Sequence, residues 1–350
     1  MTSNNAEFSE AIKQRAYELG FDMCGIAPAS PSAFRQEFMD WLDAGYAGEM
    51  KYMGRDPERR LDPCQILPSA KSIIVTAVNY YSKCNERSDR HEAIFARYAL
   101  NEDYHDILSG RLRNLLNYIT EQSTDPVEGK IYVDAGPLLE RELAQKAGIG
   151  WFGKNTMIIN SHRGSWFLLG EIILSIPLPA DNPALGGCGT CTQCLDACPT
   201  GAILRPYVVD ARKCISYHTI EQKGCIPEDT AIRMGARVFG CDICQEVCPF
   251  NIRRASPTND ESFLPRASTT SRSLEVLAGL SEEEFHRDYK GSPVKRAKRR
   301  GLARNAIAAL SSMHDESAET AILKASDDPD PLVRDQAALD RYAHSRYNSS

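Results

Sequence analysis

Up to about residue 180 the apolar positions alternate between helical spacing and short continuous runs. "FSEAIKQRAYELG" carries its apolar residues at helical spacing and stops on Gly20, so it predicts a helix, followed by a strand in "FDMCGIAP". "FRQEFMDWLDAG" and "DILSGRLRNLLNYI" read as helices, "SIIVTAVNYY" as a buried strand, and "KIYVDAG" as a further strand. "PLLERELAQKAG" predicts a helix opened by Pro137 and closed by Gly148, and "SWFLLGEIILS" another strand. This alternation predicts an α/β layer structure. A Pro/Gly-rich break, "IPLPADNPALGG", then leads into a cysteine-rich region, and a polar connector leads to a helical tail. In the tail, "SPVKRAKRRGLARNAIAAL" and "DPDPLVRDQAALDRYA" resemble each other at an offset of about 38 residues, within the range of HEAT-type repeats.

Composition adds limits. With 42% hydrophobic and 25% charged residues, the chain can bury a core of ordinary size. Its net charge of −6 argues against wholesale coating of nucleic acid, though not against a local basic patch. The first residues show no signal peptide, twin arginine or lipidation motif. The most apolar segment, "WFLLGEIILSIPL", is too short to span a bilayer and is interrupted by Glu171. The expectation is a cytoplasmic chain with no membrane segment, and nothing in it demands more than a monomer.

Twelve cysteines in a reducing compartment point to metal rather than disulfides. "CGTCTQCLDACP" is a C-x2-C-x2-C-x3-C-P run, in which three cysteines hold one cluster and the fourth reaches a second. Cys188, Cys191 and Cys194 therefore form a trio that Cys248 completes, while Cys198 joins Cys241 and Cys244. C-x2-C pairs also bind zinc, but a triple run closed by C-P twice over favours two 4Fe-4S clusters. The second cluster is one ligand short, because Val238 stands where a first cysteine of "GCDICQEVCPF" would be. Cys214 and Cys225 are both candidates, and spacing does not decide between them. Cys24, Cys64 and Cys84 read as small buried hydrophobes.

Other motifs carry less. "GIGWFG" matches G-x-G-x-x-G, but it follows a helix instead of a strand, so it reads as a helix exit and not a dinucleotide site. "DYHDILSG" nearly matches a cobalamin-coordinating D-x-H-x-x-G, yet Leu108 occupies the glycine position. Asp134 lies just past a strand's carboxyl end, as a ligand-facing group or a turn aspartate. Lys295, Arg296, Lys298, Arg299, Arg300 and Arg304 stand together with no acid among them, either a solvated face or a nucleic-acid contact.

The phrases "DPCQILPSAKSIIVTAVNYY", "RYALNEDYHDIL", "VDAGPLLERELAQKAGIGWFGKNTMIIN", "CGTCTQCLDACPTGAI", "ARKCISYHTIE" and "FGCDICQEVCPFN" resemble, in order, the epoxyqueuosine reductases. The resemblance implies an α/β, nitroreductase-like cobalamin-binding domain over 1–180. It further implies a ferredoxin-like domain with two 4Fe-4S clusters over 181–255 and an α-helical, HEAT-like tRNA-contacting domain over 256–350. It implies Cys214 as the missing ligand, and cobalamin held without a histidine on cobalt. The implied reaction is reduction of the epoxide of epoxyqueuosine, at the tRNA wobble position, to the alkene of queuosine. Asp134 matches the family's proton donor, and burial against cofactor and substrate is expected to raise its pKa. Arg97, Tyr104, His105, Lys154, Asn155, Ser216 and Tyr217 fall in matching phrases and are expected to face cofactor or substrate, with the basic stretch on the tRNA backbone. A low-potential electron donor, not identified by the sequence, is implied as well. Two rival readings are a reductive dehalogenase, usually exported through a twin-arginine signal, and a ferredoxin-type electron-transfer protein that binds no corrinoid.

Overall fold

In the computed structural model, residues 2–83 and 89–347 are described; Cys84 lies outside them. The predicted strands assemble into one sheet in the order Met23–Pro28, Ser72–Asn79, Phe167–Leu174, Gly129–Tyr132. Every pairing in it is antiparallel, so the helix–strand alternation does not produce a parallel sheet. Both faces are covered nonetheless. Ile26, Ile74, Ile172 and Leu174 pack with Ile12 and with Leu108, Leu112, Leu115 and Ile119 of the Tyr104–Gln122 helix. Ile73, Val75, Ala77 and Ile173 pack with Leu143, Ala144 and Ala147 around the Glu140–Lys146 helix. Two-sided burial explains why these strands read as continuous apolar runs instead of alternating ones.

The cysteine region holds two short helices, Gln193–Asp196 and Ile243–Glu246, packed on each other. The tail consists of the helices Leu274–Ala278, Glu282–Tyr289, Lys298–Leu310, Glu316–Ala325 and Pro331–Tyr347. Its core is not separate. Leu302, Ala306 and Ile307 share one apolar cluster with Phe95, Ile215, Met234, Val238 and Phe239. Packing therefore runs across the 255/256 boundary that the polar connector suggested.

Val238 explains the missing cysteine of the second motif. It is fully buried in the strand Arg237–Phe239, which pairs in parallel with Ile94–Phe95, and its carbonyl accepts from Asn305 Nδ2 at 2.7 Å. A side chain committed to that core cannot also reach a metal centre. The "GIGWFG" stretch is a helix exit, with Gly148 at φ +78, leading into the hairpin Trp151–Phe152/Ile158–Ile159.

Candidate functional site

The two cysteine motifs and Cys214 bring eight thiols into two neighbouring groups. Cys194 faces Cys188, Cys191 and Cys248. Cys214 faces Cys198, and Cys244 faces Cys241 and Cys214 while also sensing Cys194 across the gap. Cys225 lies elsewhere, among Arg304, Asp335 and Asp340. Burial pushes Cys241 up to about 12 and raises Cys214, Cys244 and Cys248 as well. Backbone N–H groups oppose that burial. Those of Ser216 and Tyr217 point at the Cys214 sulfur, that of Ile243 at Cys241, and those of Phe250 and Asn251 at Cys248. Ala202 donates its N–H to Cys198 Sγ at 3.3 Å. Cys214 and Cys248 each cap a helix, Ile215–Ile220 and Pro249–Arg254, so their sulfurs sit where orphan donors gather. Buried thiols ringed by N–H donors suit an anionic iron–sulfur cluster, whose thiolates need both iron and hydrogen bonds. Among the described residues, no group of three or more His, Cys, Asp or Glu side chains converges tightly enough to hold a single metal ion. A cubane needs its thiols spread more widely than one ion does.

Several flanking residues expected to face the cofactor instead brace these loops. Lys154 Nζ donates to the carbonyls of Gly189 (2.7 Å) and Cys191 (2.9 Å), and Asn155 Nδ2 to that of Cys244 (3.2 Å). The Arg97 backbone N–H donates to Asp242 Oδ2 at 2.7 Å, and its guanidinium reaches Glu246 Oε1 at 2.7 Å over the Trp166 ring. Tyr217 Oη accepts the Glu49 N–H at 2.8 Å and fills the space beside Gly48, where a Cβ would meet it at 2.6 Å. Ser216 serves Cys214 through its backbone. Polar groups of Arg97, Lys154, Asn155 and Tyr217 are thus engaged by protein, tying the segments expected beside the cofactor to the cysteine loops and their surroundings.

Tyr104, His105 and Asp134 do come together. Tyr104 Oη donates to Asp134 Oδ2 at 2.6 Å, and His105 Nε2 stands 3.7 Å from the same oxygen. Asp103, capping the Tyr104–Gln122 helix, holds His105 Nδ1 at 2.8 Å. Asp134 has a left-handed backbone, φ 55, and its side chain is 63% exposed. Left-handed backbone in a residue other than glycine carries strain and is concentrated at functional sites. His105 Nδ1 is held by Asp103, and its Nε2 faces the Asp134 carboxylate at 3.7 Å, so both nitrogens are turned to carboxylates. That fits a corrin held without a histidine ligand.

In the protein alone, His105, with help from Tyr104 and against the pull of burial, holds the Asp134 carboxyl below the usual carboxylate range. Burial draws His105 down, but Asp103 and Asp134 outweigh it and lift the imidazole to about 9. A base raised from 6.5 in this way stabilises the fold fully below pH 6.5, and the contribution is lost as pH rises through about 9. His105→Asn is therefore expected to flatten the fall in Tm between pH 6.5 and 9.5 seen for the unaltered protein. Equal slopes for the two proteins would show that the pairing does not act.

Two acids beneath Asp134 were missed as site residues. Glu140 is pushed up to about 8, first by burial and then by the charge of Asp134. Glu171, fully buried in the central strand, is raised well above its ordinary value by burial, then by Glu140. A lone acid inside "WFLLGEIILSIPL" was the available signal, and it reads from sequence only as a break in hydropathy.

The basic stretch divides. Arg299 is buried and paired with Asp328 (2.7 Å), and Arg304, 1% exposed, donates to the carbonyls of His218, Gln222 and Gly224. Neither guanidinium can reach a phosphate. Arg304 instead buttresses the loop that follows Cys214. Lys295 pairs with Asp103 and Arg296 with Glu221 at the surface, while Lys298 and Arg300 are exposed.

Residues 187–251 match a 4Fe-4S double cluster binding domain, and residues 60–135 match a model described as epoxyqueuosine reductase QueG, DUF1730. The epoxyqueuosine reductase of Cyclobacterium marinum is 42% identical over 302 residues, covering 85% of this chain and 95% of that protein. The chain belongs to the epoxyqueuosine reductase family. The Gloeobacter violaceus epoxyqueuosine reductase is 44% identical, covering 88% of this chain and 97% of its own length. A solved epoxyqueuosine reductase with a tRNA-Tyr epoxyqueuosine-modified stem loop superposes with TM-score 0.88 at 33% identity, covering 95% of this chain and 89% of that one. A Bacillus subtilis epoxyqueuosine reductase, described with its Asp134 catalytic loop swung out of the active site, gives the same score, identity and coverage.

Proposed function

We propose that this chain reduces the epoxide of epoxyqueuosine in tRNA to the alkene of queuosine, with release of water. The observation that carries the reading is one chain joining two cysteine quartets to a strained, exposed aspartate flanked by Tyr104 and His105. Cys188, Cys191, Cys194 and Cys248 hold one 4Fe-4S cluster, and Cys198, Cys214, Cys241 and Cys244 hold the other. The clusters supply electrons singly, and cobalamin, when bound, supplies the low-potential metal chemistry that opens the C–O bonds.

The chain's own residues handle the protons and the geometry. Oxygen leaving carbon as an alkoxide needs an acid beside it, and Asp134 is the acid placed to give that proton. Tyr104 and His105 aim its carboxyl through one oxygen, Oδ2, which leaves Oδ1 to face substrate. Lys154 and Asn155, in the turn of the Trp151–Phe152/Ile158–Ile159 hairpin, and Arg97, just after Ile94–Phe95, hold the cysteine loops in place. The substrate is a tRNA stem loop in the solved relative, and the same class of substrate is proposed here. The proposed setting is the cytoplasm, with the chain acting as a monomer fed by a low-potential donor. Among the described residues, no helix is long and apolar enough to cross a membrane.

Nucleoside analysis of epoxyqueuosine-bearing tRNA, after anaerobic incubation with protein, cobalamin and a low-potential reductant, tests the reading. Queuosine should appear; its absence with both clusters and cobalamin bound would end it. For tRNA contact, Lys298 and Arg300 are the exposed cations of the basic stretch that stand outside its ion pairs. Replacing both with glutamine should weaken binding and lower the slope of log K against log salt by roughly 1.5. Arg304→Gln should lower Tm without changing that slope. An unchanged slope for the Lys298/Arg300 variant would remove this face from the interface.

A further inference from the structure

Reducing an epoxide to an alkene and water consumes two electrons and two protons. One carboxyl carries one proton at a time, and Asp134 is held ionised at neutral pH by His105 and Tyr104. Its side chain is 63% exposed to solvent in the protein alone, so a source on the protein side matters once cofactor and substrate cover it. Directly beneath it lie two carboxyls that the mechanism so far leaves unused. Glu140 opens the Glu140–Lys146 helix, one turn of chain beyond Asp134, and the Asp134 backbone N–H points at its carboxyl. Its Oε1 is buried and has no partner. Glu171 stands in the middle of the central strand, opposite Val75 on one side and Tyr132 on the other, and is 0% exposed. Neither of its carboxyl oxygens has a protein partner.

Packing does not account for this pair. A buried carboxyl with unmatched oxygens costs stability, and a glutamine would fill the same volume without an ionisable proton. The sheet face around Glu171 is largely apolar, with Ile73, Val75, Leu143 and Ile173, and the one lysine of the neighbouring strand, Lys130, gives its Nζ to the Ile66 carbonyl at 2.7 Å. The charged groups acting on Glu140 are Asp134, Arg141, His105 and Arg60, with Glu171 coupled to it; those acting on Glu171 are Glu140 and Asp134. Arg141 is itself turned to Thr156 Oγ1 at 3.3 Å. Burial keeps both acids protonated in neutral solution, Glu140 titrating at about 8.

We infer that Glu140, backed by Glu171, is the proton reserve that recharges Asp134 during epoxide reduction, an assignment that rests on the reading proposed above. The balance is simple. The Glu140 carboxylic acid gives its proton to the Asp134 carboxylate, and Asp134 gives it to the oxygen leaving carbon. Glu140 is left as a carboxylate and is recharged from Glu171 or solvent before the second proton is needed. Glu140 and Glu171 are positioning residues in this scheme, acting only through Asp134.

The test uses full-length protein carrying both clusters and cobalamin, with an epoxyqueuosine-bearing stem loop as substrate, comparing wild type, Glu140→Gln and Glu171→Gln. Infrared spectra without substrate should show protonated carboxyl bands at neutral pH, one lost in each variant, with the Glu140 band titrating near pH 8. Turnover by wild type should fall as pH rises through the same region. Glu140→Gln should lower kcat roughly tenfold or more at neutral pH, leave KM for the stem loop unchanged, and recover toward acid pH, where solvent protonates Asp134 directly. No protonated carboxyl band at neutral pH in the wild type overturns the inference. So does a Glu140→Gln enzyme that keeps wild-type kcat and the same alkaline fall. Wild-type protein that forms no queuosine overturns the functional reading and the proton role with it, while leaving the two bands in place. Should Glu140→Gln not fold, the strand variant Glu171→Gln and the wild-type infrared titration decide the matter.

Discussion

Asp134→Asn should lower turnover of epoxyqueuosine-bearing tRNA by roughly 10²–10⁴-fold, the usual contribution of a positioned acid. Asparagine is the right replacement for a structural reason. Position 134 has φ 55, a backbone that asparagine tolerates better than alanine does. The amide keeps the hydrogen bond from Tyr104 Oη and removes the transferable proton, together with the charge that faces His105. Iron content and cobalamin binding are therefore expected to stay at wild-type values while product formation collapses. Retained turnover with both clusters and cobalamin bound would remove Asp134 from the chemistry. Asp134→Ala would be harder to read, because loss of the acid and strain in the turn would change together.

The second large effect is expected at Cys214. Cys214→Ala should leave the chain with a single cluster, seen as about half the iron and acid-labile sulfide, and turnover should fall to background. Electron transfer to the site then lacks one of its two stations. Cys225→Ala should keep both clusters and near-normal turnover, since that thiol lies among Arg304, Asp335 and Asp340. The two variants make a matched pair, because spacing alone leaves both cysteines open as the eighth ligand. Full iron in the Cys214 variant, or half in the Cys225 variant, would reverse the assignment. Arg304 offers a check at a distance. Its three donations to carbonyls at 218, 222 and 224 hold the loop behind Cys214.

The sequence by itself determined the elements and the cluster chemistry. Apolar spacing placed the Tyr104–Gln122 helix and the Ser72–Asn79 and Phe167–Leu174 strands, because period and burial are local properties of a chain. The C-x2-C-x2-C-x3-C-P run and its partial copy named seven thiols and their expected division, because cluster binding by a short loop is written in spacing. The eighth came from resemblance, and the fold shows why no motif could supply it: Val238 is needed in a core strand, and Cys214 is brought in from a separate helix start. Direction of strand pairing was also beyond local pattern, since two covered faces give the same apolar run whether neighbours are parallel or antiparallel.

Only tertiary structure decided which charges are free to act. Six cations look alike in "KRAKRRGLAR", yet Arg299 and Arg304 are spent on Asp328 and on backbone carbonyls, while Lys298 and Arg300 face solvent. In the protein alone His105 lowers Asp134, while the acids that burial raises are Glu140 and Glu171 beneath it, which no local pattern singles out. Protonation and pairing depend on what lies within a few ångströms in space, and residues far apart along the chain supply those neighbours.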